Sequence, residues 1–135
     1  MLGNDYCHSL EMEVRDYELD SEGIVNNANY LHYLEHTRHK FCEEAGYSFK
    51  DLLNRGIITV VRKIEIKYIN PLHSGDRFKS YLSIKREGAC FIFRQDIYKQ
   101  SGEKVLEAKV SIVSVFNGKI SRGDELADLF SKYLS

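Results

Sequence analysis

At 135 residues the chain has the length of one ordinary domain, so a single core spanning residues 1–135 is expected. Hydrophobic residues at 43% and charged residues at 29% are a soluble globular composition, and a formal net charge of −1 gives no general reason to expect nucleic acid or an anionic membrane as partner. No stretch approaches the roughly 18 apolar residues of a membrane span, Gly3 to Ser9 lacks the basic start and apolar run of a leader, and the scattered Cys7, Cys42 and Cys90 read as reduced thiols of a cytoplasmic protein.

In chain order, a strand is expected around Ser9 to Tyr17. A long helix from about Ala28 to Ala45 follows, because Tyr30, Leu31, Leu34, Arg38, Phe41, Cys42 and Ala45 recur at helical spacing. Arg38 is the only charge in that stripe. Asn26 and Asn27 stand at its start as capping residues and Gly46 at its end. A short helix over Ser48 to Asn54 ends near Gly56. The period then becomes twofold. Ile64, Ile66 and Tyr68 alternate with Lys63, Glu65 and Lys67, which predicts a strand buried on one face. Phe78 to Ile84, Phe91 to Ile97 and Leu106 to Phe116 repeat the pattern, separated by Asn70-Pro71, Ser74-Gly75-Asp76, Glu87-Gly88 and Ser101-Gly102. Such short links imply antiparallel hairpins. A last helix is expected over Asp124 to Leu134. The order predicts an α+β domain, one antiparallel sheet covered by one helix.

The one sizeable connection at the mouth of the long helix, Glu18 to Asn27, is where chemistry is expected, since loops on a rigid scaffold carry function more often than core positions. Gly23 permits a tight path there. The first N–H groups of a helix lack partners and lie at the positive end of its dipole, which suits a carbonyl oxygen gaining charge in acyl transfer. A carboxylate nearby, Asp20, can attack the carbonyl carbon or deprotonate water, and the dipole would keep it ionised. On these grounds alone a turn or cap role for Asp20 is the stronger reading.

The run from Tyr17 to Tyr30, with Asp20, Gly23, Ile24-Val25 and Tyr30 at their spacing, resembles the D-x-x-G-[IV]-[VL]-x-x-x-x-Y signature of hotdog-fold thioesterases of the 4-hydroxybenzoyl-CoA thioesterase type. It is similar to the Tol–Pal-associated acyl-CoA thioesterases and, with Val14-Arg15-Asp16 added, to plant acyl-acyl-carrier-protein (acyl-lipid) thioesterases. The likeness continues through Glu35, Arg38 and Pro71 to Asp76, covering about Met12 to Phe116. It implies a hotdog fold, a five-stranded antiparallel sheet wrapped around one long central helix. It implies hydrolysis of an acyl-CoA or acyl-carrier-protein thioester without a cofactor. Asp20 matches the catalytic carboxylate, as nucleophile or general base, and Asn27 the position whose backbone N–H polarises the carbonyl. Gly23, Val25 and Tyr30 fall in the substrate-binding segment, and Lys85 and Arg86 lie near the family's CoA-binding basic residues. Thr59 and Val60, within Ile57 to Val61, join Tyr47 and Phe49 as acyl-channel candidates. The family's habit of joining sheets edge to edge implies a homodimer or homotetramer with the site between subunits.

Other readings are a non-catalytic module that binds acyl thioesters or fatty acids, and a hotdog dehydratase, whose His and Phe-Pro-Gly run is absent. His32, His36 and His39 share a helix face at metal-compatible spacing, although a solvated or subunit-facing surface is the better reading and no metal is expected.

Overall fold

The computed structural model describes residues 6–134; Gly3 to Asp5 of the stretch read for a leader lie outside it. The chain runs β1 (His8–Glu13), α1 (Asn27–Glu44), α2 (Phe49–Asn54), β2 (Ile57–Tyr68), β3 (Arg77–Glu87), β4 (Cys90–Lys99), β5 (Lys104–Phe116), β6 (Lys119–Ile120) and α3 (Asp124–Leu129), with short 3-10 turns at Asp16–Glu18 and Ser131–Tyr133. Every strand pairing is antiparallel, in the order β1-β3-β4-β5-β2.

Local chemistry sets most of these bounds. Asn26 caps α1, its Oδ1 accepting the Ala28 N–H at 2.9 Å, and Gly46 follows the last turn at φ 96°. Ser48 and Asp51 form a reciprocal capping box at α2. Three expectations change. The first strand stops at Glu13, because the Glu18 carboxylate takes the Arg15 N–H and folds Asp16–Glu18 into a turn. The last helix ends at Leu129, with a 3-10 turn after it. The five long strands gain a two-residue sixth, because Asn117 and Gly118, both at positive φ, turn β5 back onto itself.

α1 lies over β1, β3 and β4 rather than the whole sheet. Tyr33 packs on Phe78, and Phe41 on Phe93. Thr37 donates to Ser80 at 2.7 Å, and Gln95 to the Leu34 carbonyl at 2.9 Å. β2, at the sheet edge, packs against α2 at its start, where Ile57 is buried, but is largely uncovered beyond it. Its Ile64, Ile66 and Tyr68 lie opposite the buried Val110, Ala108 and Leu106, yet Ile64 and Tyr68 are 40% and 48% exposed. The predicted one-face burial of this strand is therefore not met within one chain. Alternation assigns residues to a face; only a covering layer buries them.

Candidate active site

The Glu18 to Asn27 connection is clamped from two sides. Glu18 is buried, and its Oε1 accepts the Tyr33 hydroxyl and the Arg15 N–H, both at 2.8 Å. Its carbonyl accepts the Asn26 N–H at 3.0 Å and the Asn29 Nδ2 at 2.9 Å, tying the loop to the start of α1. Leu19 then pairs with Val25, the Asp20 N–H donates to Ile24 O at 2.8 Å, and the Gly23 N–H to Asp20 O at 3.1 Å. This small hairpin needs Gly23 at φ 80°, a conformation L side chains resist. Its outer side rests on the β2–β3 connection. Ile24 pairs with His73, the Val25 N–H donates to Leu72 O at 2.9 Å, and the Leu72 N–H donates to the Tyr30 hydroxyl at 2.9 Å.

Asp20 is exposed at the tip of this hairpin. Its Oδ1 accepts the N–H groups of Glu22 at 2.8 Å and Ile24 at 3.3 Å. Asp20 thus is a turn residue, but it does not cap α1; Asn26 does. Its Oδ2 meets no partner among the described residues, and neither does the Asn27 N–H, the first of the helix. Burial pushes the Tyr30 phenol above its ordinary value, and the charges of Tyr68 and Asp20 add to the effect. One carboxylate oxygen held by amides and the other open, on the hairpin that leads into a helix whose first amide, Asn27 N–H, is unpartnered, is an arrangement suited to carbonyl chemistry.

The other predicted positions fall in different places. The Val25 side chain is 3% exposed and belongs to the core with Tyr30, Leu34 and Leu72. Tyr30 itself holds the β2–β3 connection and touches the Tyr68 ring at 5.4 Å. Thr59 lines a small cavity between α1 and β2, together with Phe49 and Val61; Val60, between them in the strand, faces the other way and is 44% exposed. Tyr47 packs instead on Phe130. Lys85 and Arg86 stand at the far end of β3, roughly 30 Å from the Asp20 loop at about 3.3 Å per residue, so one chain does not bring them to it. Arg86 is committed to the Gly88 and Arg122 carbonyls and to Asp124 at 2.7 Å. His32 and His36 line a cleft of about 570 Å³ with Arg15, Glu18 and Tyr33, whereas His39 packs on Phe49 at 4.0 Å. Among the described residues no three His, Cys, Asp or Glu gather for a metal.

Arg38 was not among the predicted site residues, although it lines the same cavity as Phe49, Thr59 and Val61. Its signal in the sequence was being the one charge in an apolar helical stripe.

A family model described as the thioesterase-like superfamily matches residues 14–129, and the chain belongs to that superfamily. The chloroplastic acyl-acyl carrier protein thioesterase ATL3 of Arabidopsis thaliana is 39% identical over 109 residues, 79% of this chain and 57% of the plant protein. The chain thus spans less than two thirds of that relative's length. The putative acyl-CoA thioesterase YneP of Bacillus subtilis is 33% identical over 106 residues, 78% of this chain and 77% of the relative. Among solved structures, the YbaW probable thioesterase of Escherichia coli superposes with a TM-score of 0.82 at 26% identity, covering 94% of this chain and 98% of that one. The sheet around one long helix is the hotdog fold that the Asp20 segment implied.

Proposed function

We propose that this protein hydrolyses an acyl thioester to a free acid and a thiol at Asp20. The observation that carries the reading is the Asp20 carboxylate, fixed through Oδ1 by two loop amides while Oδ2 stays open, on the hairpin that leads into α1 and its unpartnered Asn27 N–H. The thioester oxygen lies against the first amides of α1, where partial positive charge stabilises the tetrahedral oxyanion. The acyl–sulfur bond breaks, an acyl–oxygen bond forms with oxygen from water, and the thiolate takes up a proton. As nucleophile, Asp20 forms an anhydride that water opens; as general base, it deprotonates the attacking water. The substrates named for the relatives, acyl-acyl carrier protein and acyl-CoA thioesters, supply the class.

The uncovered edge supports a homodimer or homotetramer. β2 ends the order of long strands and exposes Ile58 and Val60, an apolar edge that an isolated chain leaves open to pairing. The free thiols of Cys7, Cys42 and Cys90 support a reducing, cytoplasmic setting. Among the described residues no helix is long and apolar enough to cross a membrane.

The test is thiol release from short, long and aromatic acyl-CoAs and from acyl-carrier-protein thioesters. Turnover of at least one class supports the reading; binding across the panel without turnover favours a carrier or sensor module instead.

A further inference from the structure

The β2 flank of α1 ends in a charge. Arg38 stands eleven residues past Asn27, about 16 Å along the axis at 1.5 Å per residue. It is 7% exposed. Among the described residues it makes no ion pair, and its described hydrogen bond runs from Nη1 to the neutral Oε1 of Gln95 at 3.0 Å. Gln95 is itself oriented, since its Nε2 donates to the Leu34 carbonyl, and the amide therefore presents its oxygen to Arg38. No other Arg38 nitrogen is both sealed and unpartnered, and the residue lines, together with Glu35, a cavity of about 90 Å³ whose apolar walls include Phe49, Val61, Phe93 and Phe130. The remaining donors thus open onto a largely apolar cavity whose one acidic wall residue is Glu35. Glu35, on the same flank and in the same cavity wall, is exposed; its charge favours the guanidinium, although the two form no direct ion pair among the described residues. Burial penalises the guanidinium and is the main cause that holds the arginine's pKa below its ordinary value, with the Glu35 charge offsetting only part of that penalty.

We propose that Arg38 determines acyl specificity by closing the acyl site with a charge, rejecting an alkyl end that reaches it and accepting an end that carries a carboxylate. The proposal rests on the reading that acyl thioesters react at Asp20. Leu31 on α1 and Ile64 and Tyr68 on β2 leave apolar surface exposed, and the Tyr68 ring meets Tyr30 on the first turn of α1. An alkyl chain lying on that surface gains burial until its methyl end meets the guanidinium. There it excludes water and offers no acceptor in return. A terminal carboxylate meets the planar donor fork with charge-assisted hydrogen bonds.

The experiment measures kcat/KM for a length series of straight-chain acyl thioesters and equally long ω-carboxyacyl thioesters, each on CoA and on acyl carrier protein. Wild type, Arg38→Leu and Arg38→Lys are compared. Wild type should lose about tenfold or more once the alkyl chain reaches Arg38, and the carboxylate-ended chain of that length should escape the loss. Arg38→Leu should abolish the fall and reverse the preference, and Arg38→Lys should keep part of it. Ratios within one variant are unaffected by how much of it is folded. The proposal is overturned if the length profile is unchanged in Arg38→Leu, or if every substrate falls by the same factor. Calorimetric titration of Asp20→Asn with free monocarboxylic and dicarboxylic acids of equal length separates the two readings. A dicarboxylate preference without turnover by the wild type sustains Arg38 and defeats Asp20. Turnover by the wild type without any preference sustains Asp20 and defeats Arg38.

Discussion

The Tyr30 hydroxyl, on the first turn of α1, accepts the backbone N–H of Leu72 at 2.9 Å, joining the helix to the connection that braces the Asp20 hairpin. Leu72 is fully buried, so removing the acceptor strands an N–H away from water. Tyr30→Phe should therefore cost about 1–3 kcal/mol of stability, read by denaturant unfolding. Thioester turnover should fall in the same variant, because Leu72 also accepts the Val25 N–H; unchanged stability would remove this bond from the account.

Asn27 offers a way to separate a side chain from its backbone. It is the first residue of α1, where proline is well tolerated, and Asn26 before it is already extended at φ −67°, ψ 142°. Asn27→Ala keeps the N–H and should leave kcat nearly unchanged. Asn27→Pro removes the N–H while preserving the helix, and kcat should drop by about 10²–10³-fold with helicity by circular dichroism unaltered. A severe loss in Asn27→Ala would move the role to the side chain.

Tyr30 and Tyr33 share a pH signature. Burial is the main cause that raises both phenols above their ordinary value of 10.0, and for Tyr33 the Glu18 hydrogen bond adds to it. The folded chain therefore holds these protons more tightly than the unfolded one. Their stabilisation is fully present below pH 10 and declines as pH rises above it. Chemical unfolding at stepped alkaline pH should show this decline, and Tyr33→Phe should flatten it.

Much of this arrangement is legible in the residues themselves. The bounds of α1 were readable because capping is local: Asn26 and Gly46 act on their immediate neighbours. The strands over β3, β4 and β5 were readable for the same reason, each hairpin carrying its own turn residues. The exposure of β2 was not, because it depends on where α1 lies across the sheet, a relation between segments distant in sequence. Arg38 was visible as a lone charge, but its partner Gln95 lies 57 positions away and no spacing announces it. Arg86 is a substrate-binding candidate by its place in the sequence, but its partner Asp124 lies 38 positions away and only the fold brings the two together. Asp20 was read as a turn residue from its position and as a catalytic one from its resemblance, and the two roles fall on different oxygens.

That division makes the sharpest test available. Asn at position 20 keeps a carbonyl oxygen for the Glu22 and Ile24 amides, so the hairpin should survive; Ala removes both hydrogen bonds. The measurement is kcat for Asp20→Asn on the best thioester substrate, alongside its unfolding midpoint and substrate binding. The account predicts a loss of about 10²–10⁴-fold with the midpoint and binding near wild type. An Asn variant that hydrolyses the substrate at the wild-type rate would contradict it.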